Sequence, residues 1–175
     1  MSSAHQQTDL EIVELMREER IEPCAFVLSV DENGKPSGMM AGWNMKCSYE
    51  PPMWAVAVSK NKYTHKLITQ SGEFVIAVPD QTMEDSVRIF GTTHGDVVEK
   101  FDITKIRTLD PKIVRTPLLA NAIANYECKV QGSYVAGHHT VFFGKVVAAT
   151  LGNGTKQLFK NGRESGEHHF SVAGD

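Results

Sequence analysis

The stretch MWAVAVSKNKYTHKLITQS, residues 53–71, joins two different hydrophobic patterns. Large and small apolar residues alternate over residues 53–59, which predicts a strand. Residues 63–70 have the spacing of a short helix, with Thr64 near its start and Gly72 just beyond its end. A strand therefore passes directly into a helix within this stretch.

The junction itself, residues 59–66, is rich in groups that attract anions. Its sequence SKNKYTHK offers two hydroxyl side chains, a tyrosine and three lysines, and contains no acidic residue. A helix start adds unpaired N–H groups and the positive end of the helix dipole, which together suit a phosphate dianion. The pattern therefore favours a phosphate site. The alternative is a solvated basic loop in which Thr64 caps the helix.

Outward from this junction, the chain predicts strands that are joined mostly by hairpins. Asn33-Gly34 separates predicted strands at 24–30 and 36–45, and residues 136–139 separate two long strands. The two long strands are predicted at 122–135 and 140–150, and a shorter strand at 74–78. Helices are predicted at 9–20, capped by Thr8 or Asp9, and at 82–90. A polar excursion with short turns occupies 92–118, and a polar, glycine-rich tail occupies 152–175. This order predicts one antiparallel barrel with peripheral helices rather than a doubly wound parallel sheet, in a single domain spanning residues 1–175.

Composition excludes several classes of protein. The 175 residues carry 18 Lys+Arg against 21 Asp+Glu, a net charge of -3, which argues against a nucleic-acid binder held by bulk electrostatics. No apolar run reaches the roughly 18 residues that a membrane span needs, and the first residues show no signal-peptide pattern. We therefore expect a cytoplasmic protein that does not bind membranes.

The cysteines and histidines do not predict a metal site. Three cysteines lie far apart, at Cys24, Cys47 and Cys128, with no CxxC spacing, which is typical of packed free thiols. The histidines at 138–139 and 168–169 are adjacent pairs, and neighbours on a strand point to opposite faces. Signatures of nucleophilic hydrolases, P-loops and zinc proteases are also absent from the sequence.

A second candidate ligand contact lies at residues 39–44, MMAGWN. A glycine inside a predicted strand often marks the close approach of a ligand, and Gly42 stands next to Trp43. The alternative is a tight bend or bulge filled by the indole.

Taken in order along residues 20–150, nine short motifs resemble the flavin reductase-like, FMN-binding split-barrel family, and most closely its flavoredoxin-like members. The motifs are Pro23-x-x-Phe26-Val27, Met40-Ala41-Gly42-Trp43, Pro51-Pro52, Tyr63-Thr64-His65, Gly72-Glu73-Phe74-Val75-x-x-x-Pro79, Lys100-Phe101, Pro117-Leu118, Glu127-Cys128 and His139-Thr140-x-Phe142-x-Gly144-x-Val146. The resemblance implies a mainly β fold, a Greek-key antiparallel split β-barrel with short peripheral helices, that carries FMN at a homodimer interface.

The resemblance also implies a set of cofactor-binding residues. The phosphate would be surrounded by Ser59, Lys62, Tyr63 and Thr64, and the isoalloxazine ring and ribityl chain by Ala41, Gly42, Trp43, Asn44, Met45 and Cys47. Lys100 and His139 match positions that approach the flavin, where a cation would stabilise its reduced anion. The alternative is a solvated lysine and an ordinary turn histidine. Phe159 or Phe170, from the tail at 151–175, would cover the flavin.

Flavin chemistry accounts for the missing catalytic triads, because a hydride passes from a nicotinamide directly to flavin N5. The resemblance therefore implies an FMN-dependent oxidoreductase with NADH or NADPH as co-substrate. One alternative is an FMN electron carrier that is reduced by a donor protein, and another is a barrel that binds a ligand without redox chemistry. Ala77 and His138 depart from the polar residue and the aspartate common at these positions, which leaves the electron donor open.

Overall fold

The computed structural model describes residues 12, 16, 21–164 and 167–172. Ile12 and Met16 are helical and exposed, and the rest of the predicted helix at 9–20 lies outside the described residues. The helices are α1 (Tyr63–Ser71), α2 (Glu84–Thr92, preceded by a 3₁₀ turn at Gln81–Met83) and α3 (Lys100–Thr104). The strands are β1 (Ile21–Pro23), β2 (Ala25–Val30), β3 (Pro36–Ala41), β4 (Asn44–Tyr49), β5 (Pro52–Ser59), β6 (Glu73–Val78), β7 (Thr108–Leu109), β8 (Leu118–Leu119), β9 (Ala124–Ala136), β10 (His139–Leu151), β11 (Leu158–Glu164) and β12 (Glu167–Val172).

Seven strands form one antiparallel sheet in the order β3-β2-β6-β9-β10-β5-β4. β3 and β4 lie at opposite edges of this sheet, although Gly42 and Trp43 alone separate them in sequence. The chain therefore joins the two edges at this corner and curls the sheet into a split barrel. The Trp43 carbonyl accepts a 3.0 Å hydrogen bond from the backbone N–H of Ala57, which ties the corner to β5. The predicted antiparallel split barrel with short peripheral helices is confirmed.

The strand predicted at residues 36–45 is interrupted at this corner. The reason is the Asn44 side chain, whose amide donates to the carbonyls of Ala41 (3.0 Å), Gly42 (3.3 Å) and Pro23 (3.1 Å). Asparagine often bonds nearby backbone groups in this way and competes with strand pairing. The chain bends at Gly42 and Trp43, and the ligand contact predicted at Gly42 stays a prediction.

β2 and β6 are buried on both faces, so they separate two apolar cores. Phe26 and Leu28 of β2 pack with α2 in one core, and Phe26 meets Phe90 edge-on at 5.1 Å between ring centroids. Val27 faces the barrel interior with Val56 and Phe142. A strand covered on both sides appears as a continuous apolar run, and the sequence AFVLSV of β2 has this form.

Two buried carboxylates hold the irregular segment at residues 110–116. Glu127 accepts hydrogen bonds from the backbone N–H groups of residues 112–114, at 2.9, 2.7 and 3.0 Å. Glu73 accepts from the backbone N–H of Arg115 at 2.6 Å and from Lys129 Nζ at 2.5 Å. The polar excursion predicted at 92–118 is thus pinned to the barrel, and its longest regular element is the five-residue helix α3.

The C-terminal segment departs most from the sequence-based expectation. Where a polar, glycine-rich tail was expected, β11 (Leu158–Glu164) and β12 (Glu167–Val172) pair antiparallel, and β11 also pairs antiparallel with β1, with Pro23 opposite Phe159. Asp80 anchors the approach to β11 by accepting from the backbone N–H groups of Thr155 at 2.8 Å and Lys156 at 3.0 Å. The sequence did not predict β11 because its polar residues have little strand propensity. Its strand conformation depends on pairing with β1, which is distant in sequence.

In the ranges that the structure describes, no helix is both long and apolar enough to cross a bilayer.

Candidate functional site

Two adjoining cavities open beside the β3–β4 corner. The larger, which we call the corner cavity, has a volume of about 310 Å³, and the smaller, the helix cavity at the start of α1, has about 120 Å³. The corner cavity is lined by Met16, Glu22, Met39, Met40, Ala41, Gly42, Trp43, Ala57, His139, Lys160 and His168. The helix cavity is lined by Gly38, Met39, Met40, Lys62, Tyr63, Thr64, Phe90, Gly91, Thr93, His94, Gly95, Lys100 and His168. Met39, Met40 and His168 border both, so one elongated ligand could occupy the two together.

The helix cavity has three features that favour an anion. Lys62 is the residue before the first turn of α1, no side chain caps that turn, and the turn contains no acidic residue. Thr64 is buried in the first turn, so the alternative in which it caps the helix is wrong. Lys62 and Lys100 bring two amines to the cavity, and among the described residues that line it none is acidic. Free N–H groups at a helix start and uncompensated lysines favour a phosphate-sized anion.

Lys100 is a buried lysine, with 3% of its surface exposed, so the alternative of a solvated charge is wrong. Its Nζ donates to the carbonyls of Gly38 and Phe90, each at 2.9 Å, and lies 5.4 Å from the centre of the Phe90 ring. These carbonyls are its hydrogen-bond partners among the described residues, and an ammonium group has three N–H donors, so one is left for a ligand. Burial, and next the charge of Lys62, lower the pKa of Lys100 to about 8, and Asp96 opposes this.

A buried hydroxyl lies behind Gly95, one of the residues that line the helix cavity. Ser37 Oγ has no hydrogen-bond partner in the described part of the chain. A Cβ on Gly95 would lie 2.4 Å from this oxygen and 3.6 Å from Lys100 Cε, so a side chain at residue 95 would displace the Ser37 hydroxyl. Glycine therefore allows the backbone at residue 95 to pack directly against Ser37.

Trp43 and His139 form one side of the corner cavity. Trp43 is 45% exposed, and its ring lies 5.0 Å from that of His139 at a tilt of 43°. His139 begins β10 opposite Ser59 of β5. Burial, and then the neighbouring His138, lower the pKa of His139 below its ordinary value of 6.5, so its imidazole is neutral at pH 7. The cationic role expected of His139 is therefore restricted to acidic pH.

Glu22 and Lys160 form the floor of the corner cavity, and the sequence analysis missed both. Lys160 Nζ lies 2.6 Å from Glu22 Oε2, and Trp43 Nε1 donates to Glu22 Oε1 at 3.3 Å. A Cβ on Gly42 would lie 2.1 Å from Glu22 Oε2, so the space beside this glycine is taken by the carboxylate. Burial raises the pKa of the adjacent Cys24 thiol to about 12, which keeps it protonated.

The structure brings together eight of the predicted site residues and separates the others from both cavities. Ala41, Gly42, Trp43 and His139 line the corner cavity, and Lys62, Tyr63, Thr64 and Lys100 line the helix cavity. Outside these two cavities lie Ser59, Asn44, Met45, Cys47, Phe159 and Phe170.

The residues outside the cavities have other contacts. Ser59 Oγ donates to Asn61 Oδ1 at 2.8 Å. The Asn44 amide is used within the corner, where its Oδ1 also accepts from Trp54 Nε1 at 3.2 Å. Met45 is exposed on β4. Phe170 packs against the core beneath the Arg88 guanidinium, 4.8 Å from its ring centre.

His168, which the sequence analysis also missed, borders both cavities. It was excluded there only as a metal ligand, and a polar tail carries no signal of which residue will face a site. Within the described residues no cluster of three or more histidines, cysteines or carboxylates could hold a metal ion.

Comparison with known proteins identifies the family of the chain. The flavin reductase like domain model matches residues 19–166. The NADH-dependent FAD reductase of Streptomyces globisporus is 31% identical over 134 residues, which cover 74% of this chain and 71% of that protein.

Two solved structures have the same fold. The NADH:FAD oxidoreductase of Streptomyces globisporus C-1027 superposes with a TM-score of 0.80 at 25% identity, covering 96% of this chain and 98% of that one. The flavoredoxin of Desulfovibrio vulgaris (Miyazaki F) gives 0.79 at 19% identity, covering 100% and 94%. The resemblance to flavin reductases and flavoredoxins is thus confirmed: the chain belongs to the flavin reductase-like family and is a flavin-dependent oxidoreductase.

Proposed function

We propose that the flavin is FMN, with its phosphate in the helix cavity and its ring in the corner cavity. The observation that carries this proposal is the pairing of Lys62 and Lys100 around a small cavity in which no described lining residue is acidic. A terminal phosphate dianion matches those two charges and the free N–H groups of α1. FAD continues beyond that phosphate into an adenosine group, for which the 120 Å³ helix cavity has little room.

The corner cavity suits a flat, largely apolar ring system. Met39, Met40 and Ala41 give it an apolar wall, and the Trp43 indole provides an aromatic surface. Aromatic rings pack favourably against one another when they are offset or tilted. When bound there, a flavin supplies hydride acceptance and electron transfer, so the protein contributes binding, orientation and exclusion of water.

We infer that the electron donor is a nicotinamide nucleotide. The support is the 31% identity with an NADH-dependent FAD reductase. The imidazole of His139 in the corner cavity is neutral at pH 7, which suits an uncharged dihydronicotinamide ring. A donor protein in place of NADH or NADPH is the competing outcome of the experiment below.

The experiment measures flavin affinity and then reduction. Wild-type protein and the double variant Lys62→Ala/Thr64→Ala are titrated with FMN, riboflavin and FAD. We expect wild type to prefer FMN, and the variant to lose FMN affinity at least about tenfold with little change for riboflavin, as expected when a charged contact is removed. Equal losses for FMN and riboflavin would show that the helix cavity does not hold the phosphate.

Reduction of the FMN-loaded protein distinguishes the electron donors. We expect anaerobic bleaching by NADH or NADPH within the mixing time of a stopped-flow experiment. Protein that binds FMN but is bleached by neither nucleotide would be an electron carrier supplied by another protein. A purified protein that binds no flavin at all would contradict both proposals.

We also propose that the protein is a homodimer. β4 is an edge of the seven-stranded sheet, and its exposed side chains include Met45 and Tyr49, the latter 89% exposed. Apolar side chains along an unpaired edge favour association with a second copy, most often with twofold symmetry. Light scattering on a sizing column measures the mass, and a monomer at micromolar concentration that binds FMN would contradict the proposal. A cytoplasmic location stays a prediction of the sequence.

A further inference from the structure

Two charged residues from distant parts of the chain meet beneath Trp43. Glu22 belongs to β1, and Lys160, which is 138 residues later, belongs to β11. Their side chains are 10% and 14% exposed, and Lys160 Nζ lies 2.6 Å from Glu22 Oε2. Because taking two charges out of water is costly, a buried pair is weak evidence for a role in stability alone.

The position of this pair gives it a different role. Glu22 Oε1 accepts the indole N–H of Trp43 at 3.3 Å, while Oε2 takes Lys160. The Trp43 ring is itself 45% exposed at the edge of the corner cavity, so few packing contacts fix its orientation. The carboxylate is therefore a bridge between a buried cation and an exposed aromatic side chain.

The backbone of the corner is shaped to admit this bridge. Glu22 Oε2 would lie 2.1 Å from a Cβ on residue 42, so any residue other than glycine there would displace the carboxylate. The His139 ring lies 5.0 Å from the indole between ring centroids, at a tilt of 43°. Trp43 thus has two contacts, a hydrogen bond at its N–H and a neighbouring aromatic ring.

We propose, on the basis of the flavin site proposed above, that Glu22 and Lys160 are positioning residues that orient the Trp43 indole and through it the flavin ring in the corner cavity. The pair is neutral as a whole, so it leaves the charge of the cavity unchanged. Removal of either partner exposes the ring to the charge of the other. Loss of Lys160 leaves a carboxylate, and loss of Glu22 leaves an ammonium group.

The first test uses the protein without flavin, so it does not depend on the proposed function. Acrylamide reaches exposed tryptophan, and Trp43 is 45% exposed while Trp54 is 6% exposed, so the accessible fluorescence reports Trp43. We expect Glu22→Ala and Lys160→Met to increase the quenching constant of this component. Glu22→Gln, which keeps an acceptor for the indole N–H, should restore much of the wild-type value. Lys35→Met removes a lysine from an exposed pair with Glu99 and is the matched control, with quenching unchanged.

The second test uses the FMN-loaded protein. We expect Glu22→Ala and Lys160→Met to weaken FMN binding about tenfold, the factor that one lost hydrogen bond to a charged group allows. The FMN reduction potential should fall in Lys160→Met and rise in Glu22→Gln, because reduction adds negative charge to the ring. The double variant Glu22→Gln/Lys160→Met should return near the wild-type potential.

The outcomes separate the two proposals. Wild type that binds no FMN contradicts the proposed function, and the quenching of Trp43 still decides whether the pair orients the indole. Unchanged quenching in Glu22→Ala, with a native circular dichroism spectrum, would overturn the positioning role. If FMN binds and Lys160→Met and Glu22→Gln shift the FMN reduction potential in the same direction, the pair acts through the fold and not through its charge on the flavin ring. That result would also overturn the proposal. Should Glu22→Ala or Lys160→Met fail to fold, the FMN potential of Glu22→Gln still tests the proposal, and a potential equal to that of wild type would overturn it.

Discussion

Arg88 on α2 donates a 2.7 Å hydrogen bond from Nη1 to the backbone carbonyl of His168 on β12. The same guanidinium lies over the Phe170 ring and is paired with Glu84. One side chain therefore fixes the strand whose His168 borders both cavities. A residue outside the site thus determines where one wall of the site lies.

The first prediction follows from that contact. Arg88→Met should weaken FMN binding about three- to tenfold, because a hydrogen bond from a charged group and a cation–π contact are both lost. Glu84→Gln is the control, since it removes the ion pair and leaves the bond to His168 in place. Fluorescence titration with FMN measures both, and equal affinities in the Arg88 variant and wild type would show that β12 does not shape the site.

The second prediction concerns pH and Lys100. Its pKa of about 8 means that the ammonium loses its proton as the pH rises through 8. FMN affinity should therefore decline above about pH 8, by at most tenfold per pH unit for one proton. Riboflavin, which has no phosphate, should show no such decline. Lys100→Met should bind FMN more weakly at pH 7 and show no decline, and titrations between pH 6.5 and 9.5 provide the measurement.

Burial of Lys100 also makes the free energy of unfolding depend on pH. This dependence has the opposite sign to that of FMN affinity. Its pKa is lower in the folded chain than its ordinary value of 10.5, so between about pH 8 and 10.5 the unfolded chain binds more protons. The contribution of this residue to the free energy of unfolding therefore rises with pH through that window. Urea unfolding of wild type and Lys100→Met measures it, and a difference that is constant with pH would place the ammonium in solvent.

The third prediction concerns His139 and the flavin potential. Its pKa lies below 6.5, so the imidazole is neutral at pH 7 and gains its charge only on acidification. The FMN potential of His139→Ala should match wild type near pH 7 and fall below it at lower pH, where the wild-type cation stabilises reduced flavin. Redox titrations at pH 7.5 and 5.5 make the comparison. A difference in FMN potential between His139→Ala and wild type that is equally large at pH 7.5 and pH 5.5 would mean that the charge of His139 does not cause it.

The fourth prediction concerns Asp80, which anchors the segment leading to β11. Its carboxylate accepts four hydrogen bonds, from Thr82 N, Thr82 Oγ1, Thr155 N and Lys156 N. Asp80→Ala should lower the free energy of unfolding by roughly 2–3 kcal/mol, because buried N–H donors lose their acceptor. Asp110→Ala, at an exposed site, should change it little. Urea denaturation measures both variants.

Asp80 also carries a pH dependence. Although burial alone would raise its pKa, the hydrogen bonds from residues 156, 82 and 155 together hold it well below its ordinary value of 3.8. The stabilising contribution is therefore complete above that value and declines as the pH falls below it. The difference in the free energy of unfolding between wild type and Asp80→Ala should narrow as the pH falls below 3.8. A difference at pH 2 as large as that at pH 7 would require another cause.

The barrel was predictable from sequence because its strands carry strong local signals. Residues 53–70 alternate and then change to helical spacing, and Asn33-Gly34 marks a hairpin that the structure contains. The helix cavity followed from the same stretch, since α1 begins where the lysines and Thr64 stand. In these cases the information lies within ten or so neighbouring residues.

The floor of the corner cavity could not be predicted in this way. Glu22 and Lys160 are ordinary surface residues in sequence terms, and their pairing depends on β1 meeting β11. Asn44 was expected to contact a cofactor. An asparagine side chain can bond a ligand or the backbone, and the sequence alone does not show which of the two it bonds. What decides the outcome is the corner, where three carbonyls converge on its amide.

The pairing of β1 with β11 has a consequence for biosynthesis. Because β11 begins at residue 158, the strand that supplies Lys160 leaves the ribosome long after the barrel strands β2 to β6. A nascent chain can thus form most of the apolar cores while the floor beneath Trp43 is still open. A product truncated before β11 would therefore have much of a barrel and lack Lys160 beneath Trp43.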